Sequence, residues 1–178
     1  MKNKETDEEY EKKLLDRVVK LPLFSPFAEP TEFNSKVMKL VISCFSVKKF
    51  KKGDKIIQEG EIGDEFYILH SGSVKIFKNT LSGDIIALAN LSAEQNVFFG
   101  ENALISTNTR SATIQAATDC TVIVMNREDF MKIAEIEPLI GYRVTMCLAQ
   151  RLADTISKSN NDVTTLYEAL FNEIEGDL

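Results

Sequence analysis

Histidine occurs once in the 178 residues, at His70, so no cluster of imidazoles can gather around a metal, and enzyme chemistry that depends on such a cluster is excluded. Cysteine is also scarce. Cys44, Cys120 and Cys147 are odd in number and far apart, which fits free thiols and gives none of the close pairs used to ligate zinc or iron–sulfur clusters. No apolar run approaches the length of a bilayer span, and Met1-Lys2-Asn3-Lys4-Glu5 leads into charge rather than a signal core, so a cytoplasmic chain away from the membrane is expected. Cationic residues are outnumbered, 21 Lys and Arg against 27 Asp and Glu, and a formal charge of −6 disfavours a general nucleic-acid surface.

What is present is enough apolar residue, 44%, to bury a full core in one domain with flanking helices. The expected division is residues 1–46 as N-terminal helices packed on a β core, 47–125 as that core, and 126–178 as C-terminal helices. Tyr10, Leu14 and Val18 recur every four residues, with Leu15 and Val19 widening the stripe, and predict a helix that stops before Pro22. Pro22, Pro26 and Pro30 punctuate a loop. Ser35 can then cap a second helix that turns Val37, Met38, Val41, Ile42 and Phe45 inward.

From Val47 to about Val124 the pattern changes to short apolar runs separated by Gly53-Asp54, Gly60, Gly63-Asp64, Ser71-Gly72 and Ser82-Gly83-Asp84. Turn signals so regularly spaced predict antiparallel strands closed around one core: a mainly β fold with α, an antiparallel jelly-roll β-barrel flanked by helices at both ends. Turn geometry alone accounts for these glycines.

Asn126 and Asp129 open a further helix, and Pro138 starts another that runs to about Ser159. On it, Leu148, Leu152, Thr155 and Ser159 form one heptad-like stripe and Ile140, Val144 and Cys147 a second. Two stripes predict two partners, one the barrel and the other a second copy of the chain, in a homodimer through residues 138–159 centred on Leu148 and Leu152. A separate short amphipathic helix is expected from Asp162 to Glu175.

The segment Phe99-Gly100-Glu101-Asn102-Ala103-Leu104-Ile105, followed by Thr109-Arg110-Ser111-Ala112-Thr113-Ile114, carries the chemistry. Gly100 permits a tight turn and close approach of a ligand, and the helix start after it leaves the amides of Asn102 and Ala103 free to hold an anion. Arg110 adds a bidentate guanidinium contact and Ser111 a hydroxyl. Glu101 would repel a phosphate, so beside an anion site it better accepts hydrogen bonds from sugar hydroxyls. Phosphate and ribose together mean a nucleotide.

This segment resembles the phosphate-binding cassette of cyclic nucleotide-binding domains, the family of catabolite-activator-like and protein kinase A regulatory-subunit-like domains. The resemblance extends to Phe50-Lys51-Lys52-Gly53-Asp54-Lys55-Ile56-Ile57-Gln58-Glu59-Gly60, to Gly63-Asp64-Glu65-Phe66-Tyr67-Ile68-Leu69 and to Ser71-Gly72-Ser73-Val74, over roughly residues 20 to 157. It implies cyclic AMP or cyclic GMP as ligand and no cofactor. Glu101 would bind the ribose 2′-hydroxyl, Arg110 the cyclic phosphate with the amides of Asn102 and Ala103, Ser111 would assist, and Thr155 would contact the base from a C-terminal helix that also pairs in dimers. Asn102, Thr109 and Asn96 depart from the family's usual apolar residue, proline and glycine, and none removes a contacting side chain.

The expected function is therefore a non-enzymatic regulatory sensor that passes a ligand-driven change to a downstream partner, which the sequence does not identify. The alternative is a degenerate cyclic nucleotide-binding fold that serves as a protein-interaction module. Metal-dependent cupin chemistry fails on the single histidine, and haem or iron–sulfur sensing on the cysteine spacing. Too few residues follow residue 157 for a helix-turn-helix, so DNA binding by that route is not expected.

Overall fold

A strand that is apolar in both phases of its alternation is buried on both faces, and Phe66-Tyr67-Ile68-Leu69 and Val122-Ile123-Val124-Met125 have that pattern. In the computed structural model, which describes residues 7–80 and 82–176, these segments pair antiparallel at the centre of the molecule, with Phe66 opposite Met125 and Tyr67 opposite Val124. Phe66, Ile68, Ile123 and Met125 face a core shared with the helices. Tyr67, Leu69, Val122 and Val124 face a second core with Val74, Phe99 and Ile114.

The strands are β1 (Ser46–Phe50), β2 (Lys55–Ile57), β3 (Glu65–Ser71), β4 (Ser73–Asn79), β5 (Ile85–Ser92), β6 (Phe98–Phe99), β7 (Thr113–Ala116) and β8 (Cys120–Asn126). They make two four-stranded sheets, ordered β1-β8-β3-β6 and β2-β7-β4-β5, with antiparallel pairings throughout. The expected jelly roll is therefore present as two sheets sharing a core rather than as one hydrogen-bonded barrel.

The helices are α1 (Asp7–Val18), α2 (Glu32–Ser43), α3 (Arg127–Ile136) and α4 (Pro138–Gly176). In α1, Leu14 and Val18 are buried as their spacing predicts; the opening Met1–Glu5 and the side chain of Tyr10 lie outside the described residues. Arg17 fastens α1 to the β core by donating to the carbonyls of Leu69 and Ala93. The cap of α2 is Thr31, whose hydroxyl accepts from the Asn34 amide at 3.1 Å, and Ser35 lies within the helix, four residues after the position that caps it. Asn126 caps α3 as expected, accepting from the Asp129 amide at 2.8 Å.

The C-terminal region departs most from expectation. The short helix placed from Asp162 to Glu175 is the continuation of α4, a single helix of 39 residues and about 58 Å. Asn160-Asn161-Asp162 could cap a new helix, but neither Gly nor Pro breaks the old one there. Thr164 and Thr165 instead return their hydroxyls to the carbonyls of Asn160 and Asn161. Leu148 does not sit at a free seam: it is 1% exposed and packs in the helix-facing core with Ile140 and Val144. Among the described residues no helix is long and apolar enough to cross a membrane.

Candidate ligand-binding site

Phe99 pairs with Tyr67 across β3 and β6, and their rings stack with centroids 5.5 Å apart. The chain then turns at Gly100, which has φ +73, and enters a 3-10 turn over Glu101–Leu104 anchored by the buried Ala103 and Leu104. The first bond of this turn runs from the Ala103 amide to the Gly100 carbonyl at 3.1 Å. Of the two amides expected to be free, Ala103's is thus engaged, and Asn102's precedes the first bond.

A cavity of about 440 Å³ opens beside the turn. Gly100, Glu101, Asn102, Ala103, Arg110 and Ser111 contribute to one wall, and Ile57, Ile76, Ile105, Ile114 and Leu152 supply apolar surface. Six of the seven expected site residues therefore share one concavity. Thr155 does not: it is exposed, and its hydroxyl donates to the Arg151 carbonyl of its own helix at 2.8 Å. Leu152, one turn earlier on the same face of α4, lines the cavity instead.

Arg110 is held from several directions. Its amide donates to the Glu61 carbonyl at 2.8 Å and its carbonyl accepts from the Gly60 amide at 2.9 Å, beside a bridge between Ile62 and Thr109. Its guanidinium donates to the carbonyls of Glu65 (2.7 Å) and Gly100 (3.3 Å). The Glu65 carboxylate accepts from Lys48 at 2.5 and 2.7 Å and from the Tyr67 hydroxyl at 2.6 Å. Burial pushes the Glu65 pKa up, but the bonds from Lys48 and Tyr67 with the charges of Lys48 and Arg110 hold it below the usual value. Burial and the Glu65 carboxylate both push the Tyr67 phenol well up, so it remains a donor at neutral pH.

Glu101 is tied to α4. Arg151 donates to its Oε1 at 3.2 Å, and the same guanidinium lies 4.5 Å above the ring of Phe98. The sequence reading passed over Arg151, Gly63, Glu65 and Tyr67 as site neighbours. Gly63-Asp64 reads as a turn and, with the residues up to Leu69, as part of the family resemblance, neither of which places it beside Arg110, and Arg151 carries no motif of its own.

Fold and cavity together define a jelly-roll domain with an arginine and a carboxylate among the residues that line a cavity. The chain belongs to the family of the cyclic nucleotide-binding domain, whose model matches residues 47–137, about half of the sequence. It is 31% identical to the cyclic AMP receptor protein of Thermus thermophilus over 75% of this chain and 58% of that protein. It is 42% identical to cGMP-dependent protein kinase 2 of Homo sapiens over 51% of this chain and 12% of the kinase. The regulatory domain of Toxoplasma gondii PKA, solved with cAMP, superposes with a TM-score of 0.62 at 26% identity, covering 72% of this chain and 46% of that one. The chain thus spans little more than half of the first of these relatives and about an eighth of the second. The family is regulatory rather than catalytic.

Proposed function

We propose that this chain is a non-enzymatic sensor that binds cyclic AMP or cyclic GMP in the cavity beside Glu101–Leu104. The observation that carries this reading is the presence of Glu101 and Arg110 on the wall of one cavity that sets the apolar Ile57, Ile76, Ile105, Ile114 and Leu152 beside the polar Asn102, Ser106, Asn108, Thr109 and Ser111. About 440 Å³ is within the range that encloses a small ligand. In this reading Arg110 turns its guanidinium from the Gly100 carbonyl to the cyclic phosphate, the amide of Asn102 adds a donor, and Ser111 assists. Glu101 accepts from the ribose 2′-hydroxyl, and the base lies along the apolar wall. Thr155 reaches the base only after α4 rearranges, which a bound ligand favours when it contacts one position of a helix better than another. Titration calorimetry with cyclic AMP and cyclic GMP in parallel tests the reading, and no heat with either nucleotide would favour the protein-interaction module.

The output surface in this proposal is α4, and its occupant a second copy of this chain. Leu139, Met146, Ala153, Asn160, Tyr167 and Ile174 repeat every seven residues, and Tyr142, Ala149, Ile156, Val163 and Leu170 fall between them at alternating spacings of three and four. All of those between Leu139 and Leu170 are exposed, Ile156 at 60% and Tyr167 at 67%. This stripe, rather than Leu148 and Leu152, is the face left for a partner. A single asparagine among apolar a positions, Asn160, pairs best with the same residue of an identical, parallel helix, which argues for a second copy over an unrelated partner. Of the flanking positions, Thr145, Gln150, Ser157, Ser159 and Thr164 are uncharged, and charge is confined to Arg143 and Glu173 near the two ends of the stripe.

A further inference from the structure

The apolar face of α4 widens toward its C-terminal end. Between Arg143 and Ser159 the positions that flank the stripe are polar apart from Leu152, which lines the cavity. Past Asn160 the flanks turn apolar: Leu166 comes just before Tyr167 on one side of the stripe, and Phe171 just after Leu170 on the other. Both are open to solvent, at 69% and 50%, and the Phe171 ring stacks on that of Tyr167 with centroids 6.4 Å apart, which holds it along the helix. A pair of helices closes its seam with two positions in every seven, and a face that adds both flanking positions is the kind that packs against a further element. In a parallel pair, Leu166 of one helix lies beside Phe171 of the other, so the pair carries one apolar strip along each side, the two related by its two-fold axis. Each strip runs about 18 Å, from Val163 to Ile174.

The charge around these strips selects what can lie on them. From Ser159 to Ile174 the helix carries Asp162, Glu168 and Glu173, all exposed, and neither lysine nor arginine. A second pair of the same helices would bring carboxylates against carboxylates, and an anionic lipid surface or a nucleic acid would meet the same repulsion. We propose that each strip is the docking surface for an amphipathic helix of another protein, with leucine-like residues along one face and lysine or arginine along its margins. Leu166 and Phe171 cover the apolar face of that helix, in the groove mode whose anchors recur at spacings of three and four, and Glu168 and Glu173 pair with its cations. The chemistry of the downstream partner is thereby named; it rests on the pairing of α4 and not on which nucleotide is bound.

The probes are two synthetic amphipathic peptides of about eighteen residues, one of leucine and lysine and one of leucine and glutamate, titrated against the whole chain by fluorescence anisotropy. The leucine–lysine peptide should bind with a Kd of about micromolar order and two peptides per dimer, and the leucine–glutamate peptide should not bind. Leu166→Ser with Phe171→Ser should weaken the leucine–lysine peptide about tenfold or more while the variant still sediments as a dimer, since the seam positions are untouched. Glu168→Lys with Glu173→Lys should reverse the preference between the two peptides. No binding of the leucine–lysine peptide by the parent, equal binding by parent and serine variant, or an unchanged preference in the charge-reversed variant overturns the proposal. A parent that sediments as a tetramer, returned to a dimer by the serine substitutions, gives the strips to a second pair and overturns it as well. A monomeric parent overturns the pairing of α4 instead, and the docking surface then stands or falls on the serine and charge-reversed variants, with one peptide per chain. No heat with either cyclic nucleotide overturns the sensor reading and leaves this surface to the peptide titrations.

Discussion

A Cβ added to Gly63 would lie 2.5 Å from Nε of Arg110 and 2.7 Å from one of its terminal nitrogens, so the arginine lies flat against a backbone that has no room for a side chain. A methyl group at residue 63 must push the guanidinium off the carbonyl of Glu65. Gly63→Ala is therefore expected to weaken cyclic nucleotide binding by roughly 1–3 kcal/mol, the usual cost of overpacking, while Tm falls little because Arg110 can swing toward the cavity. Calorimetry and a thermal melt on the same sample check this, and unchanged affinity would mean that Arg110 does not act from its present position.

Direct removal is the sharper form of the same experiment. Arg110→Ala should lose about 2–5 kcal/mol of nucleotide binding, since a partly desolvated phosphate would lose a charge-assisted partner, and Arg110→Lys should recover only part of it. Glu101→Gln should cost less, about 1–3 kcal/mol, and a 2′-deoxy ligand should erase the difference between variant and parent.

Much of this was readable in the chain because the relevant signals are local. Phe99-Gly100-Glu101 and Arg110-Ser111 lie twelve residues apart at most, Gly100 marks its own left-handed turn, and Asn96, standing where a glycine is usual, adopts φ 51 and ψ 49. The two-faced burial of β3 and β8 follows from their unbroken apolar runs. Gly63 was misjudged because its φ is ordinary and the need for glycine comes from an arginine 47 residues away, which no local pattern encodes. The α4 stripes failed for a related reason: periodicity shows that a helix has two apolar faces, and only packing decides that Ile140, Val144 and Leu148 take the domain. Arg151 was invisible because its partners, Glu101 and Phe98, come from another part of the chain.

The Glu65 cluster sets an acid dependence. Its carboxyl is held below the ordinary carboxylate value in the folded protein, so the associated stability is present above that ordinary value and is lost as pH falls through the lower folded pKa. Glu65→Gln removes that titration but keeps the backbone carbonyl on which Arg110 rests. The parent should accordingly be the more stable at neutral pH, and its advantage in Tm over Glu65→Gln should shrink as pH is lowered from about 6 to about 3. A constant difference across the series would show that the ion pair with Lys48 contributes no linked protonation.

The two faces of α4 predict opposite outcomes for leucines on the same helix. Leu148→Ala opens a space in the helix-facing core and should cost about 2–5 kcal/mol of stability, seen as a lower Tm and denaturant midpoint. Val163→Asp with Leu170→Asp touches only the exposed stripe, 62% and 58% exposed, and should give a folded monomer where the parent sediments as a dimer, because those charges would be buried only in the seam. Asn160→Leu should then raise the melting temperature of the dimer while loosening its choice of register and oligomer size, since the polar pair that disfavours misaligned helices is gone. Sedimentation of the three variants beside the parent separates the cases. A parent that remains monomeric at high concentration, or a double aspartate variant that is still a dimer, would remove the stripe from the interface.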